Sequence, residues 1–284
     1  MLKNIILLYR MNICEILIIL LVICYLLFVF KHRNQKECFE TNEPHYKDAT
    51  GYDSIYDDFY SFYHDDLFFQ SPYYEQLCKS MLNHINNVYN NHLCIGIKHG
   101  GHMNELLKKN MKTKSVSKSK SIVQVCKHHY KDHIYDYIPN VDTNPHVFDE
   151  NEFTHISIID NEIYYLSNLK SLFYNCHKWL ILKGYLFVPF YHHKEDLKKG
   201  FLKKNENSKI RIYSMYTNEF KEHSNESFSL IETIKDQGKE RKNKHDLYFY
   251  KKEYIETLAK ESQFSLVETV SFSPYESMFV FQKQ

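Results

Sequence analysis

Residues 91–107 read NHLCIGIKHGGHMNELL, and the fold is decided in this stretch. Its first half, His92 to Ile97, is apolar and short, which predicts a buried strand. The pattern from Asn104 to Met111 predicts a helix. A strand is therefore expected to lead through a tight connection into a helix, as in α/β proteins.

Three glycines fall in that connection: Gly96, Gly100 and Gly101. The whole chain contains only 7 glycines, so their clustering is informative. Glycine permits a tight turn and lets backbone N–H groups face a ligand at the positive end of a helix. We expect a ligand-binding turn here; the alternative is a plain connection between strand and helix.

Further strands and helices alternate along the chain after this turn. Strands are predicted at Ser121 to Cys126 (SIVQVC), Phe153 to Ile159 (FTHISII) and Tyr185 to Tyr191 (YLFVPFY). A helix with apolar residues at helical spacing is predicted over 169–180, between the last two of them. Such alternation predicts an α/β fold with a parallel sheet and crossover helices.

The residues before and after this region do not continue the alternation of strands and helices. The acidic, aromatic residues 52–69 predict either a lid over a cleft or a tyrosine stripe packed in the core, and a further helix is expected to begin at Ser71. The predicted later elements are strands at 210–216, 228–234 and 246–250, a helix at 253–263, and strands at 266–270 and 278–282. The last two strands suggest an antiparallel edge.

Residues 91–107 resemble the first motif of the class I S-adenosylmethionine-dependent methyltransferases. Residues 151–190 look like the fourth strand, fourth helix and fifth strand of that family, and residues 244–272 look like its last helix and final strand pair. The resemblance spans residues 52–284. It implies a Rossmann-like, seven-stranded, mostly parallel sheet with an antiparallel last strand, and S-adenosylmethionine as the cofactor.

The resemblance also implies a set of cofactor-binding positions. These are Gly96, Lys98, Gly100, Cys126, Asp142 and Asp160. At two of them the residue departs from the family pattern. Lys98 replaces the middle glycine of the first motif, and Cys126 stands at the predicted end of the second strand, where the family has an acidic acceptor for the ribose hydroxyls. A thiol is a poor acceptor, and Cys94 likewise replaces the opening acidic residue of the motif.

Alternatives remain open at three of these positions. Asp142 competes with Val141 for the acidic place before the fourth strand. Asp160 and Asn161 follow a strand where substrate-facing groups lie in such folds, but they could equally cap a helix. Lys98 would favour a neutral or anionic ligand over a sulfonium, unless its side chain points to solvent.

Composition excludes several classes of protein. Lys and Arg total 36 against 35 Asp and Glu, so no specific nucleic-acid binding is expected. The 7 cysteines form no CxxC pair, which argues against a zinc ribbon or a disulfide scaffold. His129 and His133 have a metal-like spacing, yet no further ligand is fixed nearby, so no metal site is predicted.

A membrane segment is predicted at the amino terminus. Residues 16–30 (ILIILLVICYLLFVF) are apolar and run directly into Lys31, which is typical of an uncleaved anchor. We predict a single-pass membrane protein with an anchor in residues 1–33, a linker at 34–51 and a methyltransferase-like domain at 52–284. The positive charges after the segment place that domain in the cytoplasm.

Two functions are consistent with these features of the sequence. One is a membrane-anchored methyltransferase acting on an unknown small-molecule or protein acceptor, with no catalytic residue assigned. The other is a catalytically inactive domain of the same fold that serves as a membrane-tethered binding or scaffold module.

Overall fold

A computed structural model of the chain defines two compact units, Met1–His45 and Tyr46–Gln284. It describes residues 20–23, 25, 48–68, 71–84, 90–98, 106, 111–131, 133–202, 215–236 and 239–284. Most of the predicted anchor lies outside these residues; 20–23 and 25 are helical. Within the described part of the chain, no helix is both long and apolar enough to cross a bilayer.

In the residues that the structure describes, the second unit contains two sheets and the helices that accompany them. The strands are β1 (Asp48–Thr50), β2 (Asn91–Ile95), β3 (Lys112–Ser117), β4 (Ile134–Tyr137), β5 (Phe153–Ile158), β6 (Leu180–Tyr191), β7 (Met215–Glu222), β8 (Ser227–Asp236), β9 (Lys239–Tyr248), β10 (Phe264–Ser273) and β11 (Glu276–Lys283). The helices are α1 (Tyr52–Ile55), α2 (Asp58–Phe68), α3 (Ser71–Leu82), α4 (Lys120–His129), α5 (Leu169–Trp179), α6 (Lys194–Phe201) and α7 (Lys252–Glu261), with a 3₁₀ helix at Glu162–Tyr165.

The larger sheet has seven strands in the order β10-β11-β6-β5-β2-β3-β4. Strands β2 to β6 run parallel, and β11 is inserted antiparallel to both β6 and β10. This confirms the predicted mostly parallel sheet with an antiparallel last strand. Its central strands are buried on both faces, as their apolar sequences require.

The smaller sheet has four strands in the order β1-β9-β8-β7. The antiparallel strands β7, β8 and β9 come from the region between α6 and α7, and β1 pairs parallel with β9. Strand β1 occupies the end of the predicted linker. The sequence indicated strands in this region but not that they form a sheet of their own.

The predicted strand SIVQVC is wrong. These residues belong to α4, whose first turn is capped by Ser119 Oγ accepting from the Ile122 N–H. The second strand of the sheet is instead β3, KTKSVS, which pairs with β2 and β4. A short run of β-branched residues fits a strand and one face of a helix equally well, and here the helix buries Ile122, Val123, Val125 and Cys126.

The acidic, aromatic stretch packs as core. The buried residues of α1, α2 and the connection between them include Ile55, Tyr56 and Tyr60, which share one apolar cluster with Ile122 and Cys126 of α4. Of the two interpretations of residues 52–69, the tyrosine stripe is therefore the one observed.

Candidate functional site

The carboxyl ends of β2, β3 and β5 meet at one edge of the larger sheet, because these strands are adjacent and parallel. The chain leaves β2 at Gly96, whose N–H donates to the Val116 carbonyl at 3.1 Å. It leaves β5 through Asp160 and Asn161, whose φ angles of 53° and 62° are left-handed. Ligands of open α/β sheets bind at such an edge, so these turns define the candidate site.

Gly96 is required by packing within the chain. Its φ is +86°, and a Cβ built on it would lie 2.3 Å from the Cβ of Glu162. The missing side chain thus makes room for Glu162. Gly100, the other glycine assigned to the cofactor, lies outside the described residues.

Lys98 is buried, with 4% of its surface exposed, so its side chain does not point to solvent. Its backbone N–H donates to Asp160 Oδ2 at 2.7 Å, and its Nζ donates to the Asp160 carbonyl at 2.5 Å. Burial lowers the pKa of Lys98 to about 8, against the attraction of Glu162 and Asp160. Lys98 therefore ties the turn after β2 to the turn after β5.

The Asp160 carboxylate accepts a second hydrogen bond, from the Tyr74 hydroxyl. Asn161 precedes the 3₁₀ helix, but its side chain makes no capping hydrogen bond there. Asn161 therefore does not act as the helix cap that one interpretation of the sequence predicted. The Asp160 carboxylate instead faces the first-motif turn.

A second lysine joins the remaining carboxyl groups. Lys118 Nζ lies 3.4 Å from Asp142 Oδ2 and 4.0 Å from Glu162 Oε1. Burial raises the pKa of Glu162, and the charges of Lys118 and Lys98 act against that rise. Asp142 thus contributes a carboxylate to the cluster.

The charge of this cluster differs from the sequence-based expectation. Three carboxyl groups, from Asp142, Asp160 and Glu162, surround the amino groups of Lys98 and Lys118. Carboxyl groups outnumber amino groups here. The expectation of a neutral or anionic ligand considered the charge of Lys98 alone, so it does not apply to this site.

Cys126 is not at this edge as predicted. It lies in α4, buried in the cluster that also holds Tyr56 and Tyr60. Strand β3, which pairs with β2, ends at Ser117, so Ser117 stands at the position where the resemblance implies an acidic residue. The error follows from the exchange of strand and helix described above.

Sequence reasoning missed the aromatic surroundings of Lys98. Its Nζ lies 4.0 Å from the ring centre of Tyr165, 5.7 Å from that of Tyr56 and 5.9 Å from that of Tyr52. Rings at these distances stabilise a cation. The spacing of Tyr52 and Tyr56 was visible in the sequence, but nothing in it indicated that Lys98 would be their partner.

Comparisons with known proteins place this geometry in context. No family model matches the sequence, and no curated protein matches it. Solved structures do match. An S-adenosylmethionine-dependent methyltransferase from Clostridium acetobutylicum has a TM-score of 0.60 and 15% identity over 79% of this chain and 97% of its own.

Two further structures agree. A methyltransferase from Streptomyces caelestis has a TM-score of 0.60 and 11% identity, over 82% of this chain and 99% of its own. An amino pentose methyltransferase from Micromonospora echinaspora, solved with S-adenosylmethionine bound, has a TM-score of 0.55 and 8% identity, over 75% of this chain and 91% of its own. Together with the strand order, these matches show that the chain has the fold of the class I S-adenosylmethionine-dependent methyltransferases, in a highly divergent sequence.

Proposed function

We propose that the chain is a methyltransferase that binds S-adenosylmethionine at the edge formed by β2, β3 and β5 and transfers its methyl group to an unidentified small molecule or protein. The observation that carries this proposal is the cluster of Asp142, Asp160 and Glu162 at that edge. Carboxylates accept hydrogen bonds from ribose hydroxyls and attract a sulfonium cation, so the donor set fits this cofactor.

The residues that would hold the cofactor follow from their positions. Asp142 and Glu162 offer carboxyl oxygens as acceptors, and the backbone at Gly96 passes beside Glu162. The bound cofactor would supply an electrophilic methyl group. Because carboxyl groups outnumber amino groups, we expect no strong preference for S-adenosylhomocysteine over S-adenosylmethionine.

A second candidate, the inactive binding module, is favoured by one observation. Ser117 occupies the end of β3, where the family has an acidic acceptor, and Lys118 follows it directly. A missing acceptor leaves a ligand hydroxyl unpaired, at a cost of about 1–3 kcal/mol. Such a site could retain the ligand weakly without turning it over.

Calorimetry of the full-length chain in detergent tests the proposal. We expect S-adenosylmethionine to bind the wild-type chain, and Ser117→Asp to tighten binding by about tenfold or more, since about 1.4 kcal/mol corresponds to a factor of ten. Ser121→Asp is the matched control, because it adds the same charge in the first turn of α4, and affinity should not change. No binding by either the wild type or Ser117→Asp would contradict the proposal.

The two candidates differ in turnover. Incubating the chain and methyl-labelled S-adenosylmethionine with an extract of the cells that make it should transfer label to an acceptor. Binding without any transfer, in extract that supports a control methyltransferase, would favour the inactive module.

We further propose that residues 11–30 attach the domain to a membrane. The support is the apolar sequence of this segment and the helical, exposed apolar side chains of Leu20, Leu21 and Ile23. A helix without a polar face is stable in hydrocarbon.

A further inference from the structure

A chain of polar side chains joins the candidate site to the smaller sheet. It begins at Tyr165 in the 3₁₀ helix after β5, whose hydroxyl lies 3.0 Å from His245 Nδ1. His245 Nε2 in turn lies 2.7 Å from Glu232 Oε2. His245 and Glu232 are 2% and 1% exposed, whereas Tyr165 is only half-buried. Tyr165 is therefore the least buried of these three residues.

Glu232 is held as a carboxylate. Tyr216 donates to its Oε1 at 2.6 Å, and Tyr60 donates to its Oε2. Burial opposes ionisation, but the interaction with His245 and the hydrogen bonds from His245, Tyr216 and Tyr60 lower the pKa of Glu232. An ionised carboxylate can only accept hydrogen bonds.

The directions of the hydrogen bonds made by His245 and Tyr165 follow from this. His245 Nε2 must donate to Glu232, so in the neutral imidazole Nδ1 is an acceptor. The Tyr165 hydroxyl then donates to Nδ1. Tyr56, whose hydroxyl lies 3.2 Å from that of Tyr165, becomes the donor to the Tyr165 oxygen. One lone pair of that oxygen remains for another donor.

The three side chains are arranged like a general base and the group that orients it. A carboxylate fixes the imidazole tautomer, and the imidazole presents its lone pair to the hydroxyl of Tyr165. The ring of the same tyrosine lies 4.0 Å from Lys98 Nζ, beside the turn after β2. The buried His245–Glu232 pair is weak evidence for a purely stabilising role, because the cost of removing both groups from water offsets their mutual attraction.

We propose that Tyr165 is a catalytic residue that takes a proton from the methyl acceptor, with His245 and Glu232 as the positioning residues that receive and stabilise that proton. The acceptor is therefore a hydroxyl or an amine that carries a proton on the attacked atom. This inference rests on the proposed methyltransferase function.

The step balances as follows. The attacked oxygen or nitrogen forms its bond to the methyl carbon with its own lone pair, while the carbon–sulfur bond breaks and its electron pair stays on sulfur. The acceptor's proton passes to the Tyr165 oxygen, and the hydroxyl proton of Tyr165 passes to His245 Nδ1. The resulting imidazolium faces the Glu232 carboxylate.

The hydrogen-bond chain can be tested without cofactor or acceptor. In proton NMR spectra of the full-length chain, an imidazole N–H bonded to a buried carboxylate should give a slowly exchanging, far-downfield signal. We expect His245→Gln to remove this signal and Tyr165→Phe to shift it, while the exposed control Tyr174→Phe leaves it in place. Absence of the signal from the folded wild type, or no response to Tyr165→Phe, would overturn the proposed proton relay from Tyr165 through His245 to Glu232.

The catalytic role can be tested with two phenols and labelled S-adenosylmethionine. At mildly alkaline pH, 4-nitrophenol is largely ionised and needs no base, whereas 4-methylphenol keeps its proton. We expect Tyr165→Phe and His245→Gln to lower kcat for 4-methylphenol by about 10²–10⁴-fold more than kcat for 4-nitrophenol. Equal losses for both phenols would indicate a structural role and would overturn the proposal.

Failure of the proposed function is distinguishable from failure of the relay. If calorimetry shows no binding of S-adenosylmethionine, the methyltransferase function is contradicted even when the NMR signal behaves as expected. If the cofactor binds and label is transferred, but the two phenols respond alike, only the relay is contradicted.

Discussion

At the scale of single residues, Gly96 shows how one missing side chain shapes the site. Gly51 and Gly96 have nearly the same φ, +81° and +86°, but a Cβ on Gly51 meets nothing within 4 Å, whereas one on Gly96 meets Glu162 at 2.3 Å. Gly51→Ala should therefore cost only the strained positive-φ backbone, about 1–3 kcal/mol. Gly96→Ala adds the overlap with Glu162 and should cost about 1–3 kcal/mol more than Gly51→Ala. Urea unfolding measures both, and equal losses would show that Glu162 moves away freely.

At the scale of elements, Arg241 of β9 fastens the first helices to the smaller sheet. Its Nη1 lies 2.8 Å from Asp57 Oδ2, and its Nη2 donates to the Ile55 carbonyl at 2.8 Å. Removing a buried partner leaves the other group uncompensated, so Arg241→Met should lower the free energy of unfolding by about 3 kcal/mol. Hydrogen exchange should rise most in α1 and α2. The neighbouring exposed change Lys242→Met should stay within about 0.5 kcal/mol, and a similar loss there would contradict this role.

At the scale of the whole molecule, the proposed anchor would hold the chain at a membrane. Two arginines in the middle of a spanning helix cost about 5–7 kcal/mol together, because each is unfavourable by about 2.5–3.5 kcal/mol. The full-length chain should therefore remain in the membrane pellet after carbonate extraction, and Val22→Arg with Tyr25→Arg should release it. The control pair Thr41→Arg with Asn42→Arg, placed in the polar segment, should stay in the pellet. Release of the wild type by carbonate would refute the anchor.

The elements that could be predicted from the sequence are those with strong local signals. The apolar runs that became β5 and β6 predict buried strands, and the helical spacing over 169–180 predicts a helix packed on one face. Their order, together with the glycine turn after β2, was enough for the fold class. The apolar residues 16–30 likewise predict an anchor without reference to any other part of the chain.

Tertiary structure alone decided β3, α4 and the composition of the site. KTKSVS is a strand because β2 and β4 pair with it on both sides, and no local pattern records that pairing. The same holds for Lys98, whose partners Tyr165 and Asp160 follow a different strand. The Tyr165–His245–Glu232 hydrogen bonds join the 3₁₀ helix after β5 to strands β9 and β8 of the smaller sheet. Local sequence determines which segments can be buried, but contacts between distant residues depend on how the strands are ordered in space.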